Sequence, residues 1–97
     1  MRVRYTRQAL ADLLAIADYI RERNPTAAVK VETAIRSSIE LLADFPGLGR
    51  DRPELQARAL GVPRYAYTAY YRIADEEVWI VHIRDDRRRP VETSDLQ

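Results

Sequence analysis

The sequence predicts an α+β fold: an N-terminal strand, then an antiparallel helical hairpin packed on one face of a mainly antiparallel sheet of three to four strands. Two observations carry this. In the first half of the chain apolar residues recur three and four apart, and in the second half they alternate with polar ones. Between the two helical stripes, Asn24-Pro25 leaves room only for a tight joint. A joint that short sets the helices antiparallel, so both apolar stripes can face a common sheet.

Residues 2 to 5 read as a short strand with Val3 inward. Thr6 stands at an N-cap position, and Leu10, Leu13, Leu14, Ala17 and Ile20 mark the buried face of a helix from about Arg7 to Arg23. A second helix presents Ala28, Val31, Ile35, Ile39 and Leu42 along one stripe and ends at Phe45-Pro46-Gly47-Leu48-Gly49. From there to about Glu54, two glycines, two prolines and mixed charge predict a loop. Ala57 to Leu60 is then an edge strand. Arg64 to Ile73 is a longer strand, paired with Val78 to Arg84 across a turn at Ala74 to Glu77. Residues 1–90 make a single domain, and residues 91–97 a polar C-terminal tail.

With 97 residues and 46% hydrophobic content, every element shares one core. The chain has no cysteine and one histidine, His82, so no thiolate chemistry is available; no metal site and no cofactor are expected. The N-terminus lacks the apolar run of a signal peptide, and Asp12 and Asp18 interrupt the longest apolar segment. A cytoplasmic protein with no membrane span is the expectation. A net charge of +1 means that any nucleic-acid contact depends on a local patch. Arginine outnumbers lysine fifteen to one, which suits planar contacts to carboxylate or phosphate, although a G- and C-rich genome produces the same bias.

The stretch RYAYTAYYRI, Arg64 to Ile73, holds four tyrosines and two arginines. Period two places Tyr65, Tyr67, Ala69, Tyr71 and Ile73 on a core face, and Arg64, Ala66, Thr68, Tyr70 and Arg72 on the opposite one. On the neighbouring strand Trp79, Val81 and Ile83 are expected to face the helices. That leaves His82 and Arg84 on the open face beside Arg64, Tyr70 and Arg72, with Arg87 and Arg88 extending the patch and Arg89 following them. His82 is the one side chain suited to proton transfer near neutrality, and a histidine that simply packs or hydrogen-bonds on a sheet face accounts for it as well. Asp12 with Asp18, and Glu32 with Glu40, read as solvated helix faces. No phosphate-cradling glycine loop, serine nucleophile elbow or spaced metal cluster is present.

The element order, FPGLGRD, VPRYAYTAYYRI and EVWIVHIRDDRRRP together resemble the RelE/ParE superfamily of bacterial type II toxin-antitoxin toxins, over about residues 2 to 90. The resemblance implies a growth-inhibiting toxin forming a hetero-oligomer with a cognate ParD-like antitoxin, whose tail folds along the helical hairpin and on to the sheet. RelE-like members cleave mRNA on the ribosome; ParE-like members poison DNA gyrase. Thr68 stands where the RelE-like pattern places a catalytic arginine, and Val91 rather than a tyrosine follows Arg87. The nuclease set is incomplete, which favours the ParE-like branch.

The resemblance therefore implies gyrase inhibition by protein contact, with Arg64, Tyr70, Arg72, His82, Arg84, Arg87 and Arg88 meeting target or antitoxin. The alternative is a ribosome-dependent mRNA endonuclease with His82 transferring protons and Arg64, Arg72 and Arg87 on the phosphate. An inactive relative that keeps only antitoxin binding is a third reading.

Overall fold

A computed structural model describes residues 1–97. Strand β1 (Arg2–Tyr5) leads into helices α1 (Arg7–Arg21) and α2 (Pro25–Glu40), followed by a 3-10 turn at Leu41–Ala43. Strands β2 (Arg50–Arg52), β3 (Ala57–Gly61), β4 (Tyr67–Ala74) and β5 (Glu77–Asp85) complete one five-stranded sheet in the order β1-β5-β4-β3-β2. The pairings are antiparallel except that β1 runs parallel to β5. The α+β class and the helical hairpin stand as expected. The sheet is mixed and one strand wider than expected, because Arg50–Arg52, read as loop, pairs with Ala57–Ala59.

The caps are those the residue types dictate. Thr6 Oγ1 accepts from Ala9 N–H at 3.1 Å and donates to Ile80 O at 3.0 Å, so one side chain starts α1 and ties it to the sheet. Asn24 Oδ1 accepts from Ala27 N–H at 3.1 Å, with Pro25 at the first helical position where a missing N–H costs nothing. Ala9, Leu13, Val31, Ile35, Ile39 and Leu42 from the helices meet Leu60, Tyr67, Ala69, Tyr71, Val78, Ile80 and Ile83 from the sheet in the main core. The stripe on α1 differs from the expected one. Ala9, Leu13 and Ala17 point inward, while Leu10 and Leu14 remain 43% and 48% exposed.

Tyr71 organises the segment after α2. Its hydroxyl donates to Pro46 O at 2.7 Å and accepts from Gly49 N–H at 2.9 Å. A Cβ on Gly49 would stand 2.7 Å from the Tyr71 ring and hydroxyl, so this approach requires glycine. Arg58 closes the loop from the other side, donating to Gly49 O and Gly47 O at 3.0 Å each.

The second face of the sheet is covered in part, where the alternation predicted an open one. Leu55, Ala57, Tyr70 and Leu96 form a smaller cluster there, with Ala59, Val81 and Val91 against it. Leu96 belongs to a 3-10 turn at Thr93–Leu96, so the polar tail folds back onto the sheet. The face assignment on β5 is corrected too. Val78 and Ile80 face the helices rather than Trp79 and Val81, because a bulge pairs Tyr70 with His82 and Tyr71 with Ile80, leaving Val81 as the extra residue. Past the bulge the phase switches and Ile83 is in the core, as expected.

Candidate functional site

Local backbone geometry decides where each predicted contact residue lies. Arg64 precedes β4 in a turn with φ 73° and is exposed, so it is not on the strand face that period two assigned it. Tyr70, Arg72 and Arg84 do belong to the second face of the sheet, but none is free. Tyr70 is 6% exposed beneath the tail, and burial pushes its hydroxyl above the usual tyrosine range. Arg72 donates to Gln56 O at 2.8 Å and to Leu96 O at 3.2 Å. Arg84 lies 3.4 Å from Asp95 and donates to Arg89 O at 2.8 Å, its side chain 10% exposed.

His82 departs furthest from expectation. Its Nδ1 hydrogen-bonds Asp12 Oδ2 on α1, and the same oxygen accepts from Ile83 N–H at 3.0 Å. Both side chains are nearly covered, at 14% and 13% exposure. The cause is topological: β1 ends at Tyr5, opposite Ile80, so residues of β5 beyond that point have no strand partner on that side. Asp12 supplies the missing acceptor, and is therefore a bridge between helix and sheet rather than part of a solvated helix face.

A groove of about 620 Å³ opens beside this pair, lined by Asp12, Tyr19, Tyr67, His82, Arg87 and Arg88 among others. Arg87 makes a two-pronged contact to Asp85, Nε to Oδ1 at 2.8 Å and Nη2 to Oδ2 at 2.7 Å, which holds the Asp85 carboxyl below the usual range. Burial pushes the Tyr67 hydroxyl up, keeping it protonated. The structure thus splits the predicted set, with His82, Arg87 and Arg88 along the α1 side and Tyr70 and Arg72 on the opposite face; Arg84 reaches both.

The residues that sequence reasoning missed are Arg50 and Arg52. They line a second concavity of about 500 Å³ together with Ala59, Gly61, Thr68, Tyr70 and Asp86. Their two-residue spacing after a glycine was the available signal, obscured by the neighbouring prolines. In this concavity Thr68 Oγ1 donates to Asp86 Oδ1 at 2.7 Å, so a carboxylate sits at the Thr68 position. No group of histidine and carboxylate side chains has the arrangement of a metal site, and no helix is long and apolar enough to cross a membrane.

Comparison with known proteins converges on one family. A family model described as the ParE toxin of the type II toxin-antitoxin system, parDE, matches residues 3–90. Toxin RelE2 of Caulobacter vibrioides is 37% identical over 87 residues, spanning 90% of this chain and 97% of that protein. Among solved structures, a chain from the chromosomal ParDE toxin-antitoxin system of P. aeruginosa aligns with a TM-score of 0.78 at 30% identity, covering 88% of this chain and 95% of that one.

Proposed function

This chain belongs to the ParE toxin family of type II toxin-antitoxin systems, and on that premise we propose that it is held inactive by a cognate ParD-like antitoxin and, once free, inhibits DNA gyrase by protein contact. The observation that carries the choice of gyrase is the Thr68–Asp86 hydrogen bond. A phosphodiester-cleaving site needs positive charge around the developing negative charge of the transition state. Here the position corresponding to a RelE-like catalytic arginine holds a neutral hydroxyl bonded to a carboxylate. The scatter of the other candidates supports the same reading, since His82 lines the groove beside α1 whereas Arg72 is bonded to Gln56 O and Leu96 O on the opposite face of the sheet.

The antitoxin reading draws support from the exposed apolar residues of the hairpin. Leu10 and Leu14 are one helical turn apart on the outer side of α1, where an amphipathic partner helix finds its anchors. Gyrase contact is assigned to the exposed cations Arg64, Arg87 and Arg88, joined by Arg50. The direct test is a supercoiling reaction with purified gyrase and the purified chain. Loss of supercoiling, with linear DNA released after denaturation and proteolysis, supports the proposal; unimpaired supercoiling at stoichiometric excess contradicts it.

A second reading has one observation in its favour. Asp12 orients His82 in a groove that also carries Arg87 and Arg88, an arrangement compatible with acid-base cleavage of RNA on the ribosome. Under that reading His82→Gln abolishes toxicity; under the gyrase reading it leaves toxicity intact.

A further inference from the structure

The Asp12–His82 bridge uses only one nitrogen of the ring. Asp12 Oδ2 accepts from Ile83 N–H as well as from the imidazole, so Nδ1 carries the proton and Nε2 of the neutral ring is an acceptor. No group of the chain bonds Nε2. Because no fully buried side-chain nitrogen or oxygen lacks a partner, Nε2 opens on the groove that His82 lines. One arginine at the same groove is left over too. Arg84 and Arg89 share Asp95, and Arg87 grips Asp85. Arg88 is exposed and bonds only through its backbone N–H, to Asp85 O at 3.2 Å. A cation without a carboxylate and an imidazole nitrogen without a donor therefore line one cavity.

The rest of the groove suits a flat, partly apolar body. Ile16, Tyr19, Tyr67 and Ile83 line it, and Arg23 packs over the Tyr19 ring, 3.8 Å from its centroid. Its volume of about 620 Å³ lies within the roughly 300–1,000 Å³ of small-ligand clefts. We propose that this groove binds a nucleotide by a terminal phosphomonoester, with Arg88 and His82 Nε2 on the phosphate and Tyr19 with Ile16 against the base. Proton sharing selects the monoester. Its second ionisation lies at a pH of about 6, so near neutrality either a P–OH donates to Nε2 or a protonated Nε2 donates to the dianion. A phosphodiester brings no such proton, and a neutral Nε2 offers it none. Around the ring, α1 contributes Asp12 and Tyr19, and β4 contributes Tyr67. From β5 come Arg84 and Asp85, each already paired, and Arg87 beyond them is the partner of Asp85. Arg88 thus supplies the free positive charge. The site owes nothing to the gyrase or antitoxin readings, and its test uses neither partner.

The experiment titrates the full chain with adenosine 5′-monophosphate and follows the methyl and ring signals of Ile16, Ile83, Tyr19 and His82. Saturable shifts are expected at these residues. Arg88→Glu, a change at an exposed position that leaves the core intact, is expected to weaken binding at least about tenfold. Affinity is expected to depend on pH more steeply in wild type than in His82→Gln, because only the imidazole shares a proton with the ligand. Adenosine and its 3′,5′-cyclic phosphate are expected to bind at least about tenfold more weakly than the monophosphate. A 5′-phosphorylated RNA trinucleotide distinguishes the two sources of such a group. Equal or weaker affinity than the monophosphate identifies the free nucleotide, and binding at least about tenfold tighter identifies a strand end. The proposal is overturned if neither the monophosphate nor the phosphorylated trinucleotide gives saturable shifts at about 10 mM. It is equally overturned if the cyclic phosphate or a hydroxyl-ended trinucleotide binds as well as its monoester counterpart, or if Arg88→Glu leaves the affinity unchanged.

Discussion

One carboxylate oxygen, Asp12 Oδ2, serves both the His82 ring and the Ile83 backbone N–H, joining the middle of α1 to the unpaired stretch of β5. Removing the acceptor leaves a backbone donor and an imidazole without partners in a nearly covered position. Asp12→Ala is therefore predicted to destabilise the fold by about 1–3 kcal/mol, read from urea or thermal unfolding. Asp12→Asn, which keeps an acceptor, should cost less. The same geometry warns against His82→Ala as a test of catalysis, since it disturbs the α1–β5 junction; His82→Gln retains a polar group there.

Gly49 and Tyr71 form a second coupled pair. Gly49→Ala forces a Cβ against the Tyr71 ring and hydroxyl and is predicted to cost about 1–3 kcal/mol through overpacking. Tyr71→Phe leaves Gly49 N–H and Pro46 O without their shared partner, at a cost of about 1–3 kcal/mol. Because both changes act on one contact, the double variant should lose less than the sum, by at least about 0.5 kcal/mol in a mutant cycle.

The β4–β5 hairpin carries removable strain. Ala74 pairs with Glu77, and the two linking residues, Asp75 and Glu76, have φ of 53° and 60°. Both positive values match the type I′ turn that asparagine-glycine serves best. Replacing Asp75-Glu76 by Asn-Gly is predicted to raise stability by about 1 kcal/mol, seen as a higher melting temperature. An unchanged or lower melting temperature would count against strain at these residues.

Acid should weaken the hold on the tail. Hydrogen bonds from Arg89, then from Glu92 N–H, hold the Asp95 carboxyl well below the usual carboxylate value of 3.8. A folded-state value that is depressed contributes stability that is present above the ordinary carboxylate value. That contribution is lost as pH falls through the folded value. Leu96 methyl signals are therefore predicted to move toward a solvated position as pH falls below about 3.8. Asp95→Asn should produce the same loosening at neutral pH, whereas Asp85→Asn frees Arg87 and leaves Leu96 in place.

Antitoxin recognition is predicted to depend on Leu10 and Leu14. Leu10→Lys and Leu14→Lys should each weaken binding of the cognate antitoxin by more than about 1 kcal/mol in calorimetry, with unfolding curves nearly unchanged, because neither residue is in the core. Unaltered affinity in both variants would place the antitoxin elsewhere.

How far the chain could be read in advance depended on whether the determining interactions were local. Thr6, Asn24 and Pro25 act on backbone groups within three residues, so both helix starts were legible. Tyr67, Ala69 and Tyr71 alternate and were correctly placed in the core, whereas Ile73, assigned to the same face, is 43% exposed near the hairpin turn. The β5 assignment failed at Val81 because a bulge leaves no compositional mark, and a single extra residue inverts every side chain on one side of it. Leu10 and Leu14 misled for a different reason. Apolar residues covered two adjacent faces of α1, and periodicity alone does not say which one meets the sheet. The Asp12–His82 bridge, 70 positions apart in the chain, and the return of Leu96 to the sheet arise only from tertiary placement. Of the seven predicted contact residues, Tyr70, Arg72 and Arg84 share the second face of the sheet beneath the tail, whereas His82 is tied to α1, and what covers each one is set by tertiary placement.

The most direct test of the central claim is to express this chain without its antitoxin in a bacterial host and to assay chromosomal DNA for covalently trapped gyrase within the first generation. The account predicts that such complexes accumulate with wild type and with His82→Gln, and disappear when the antitoxin is co-expressed. Growth arrest with no trapped gyrase, accompanied by new mRNA ends on ribosomes that vanish in His82→Gln, would contradict it.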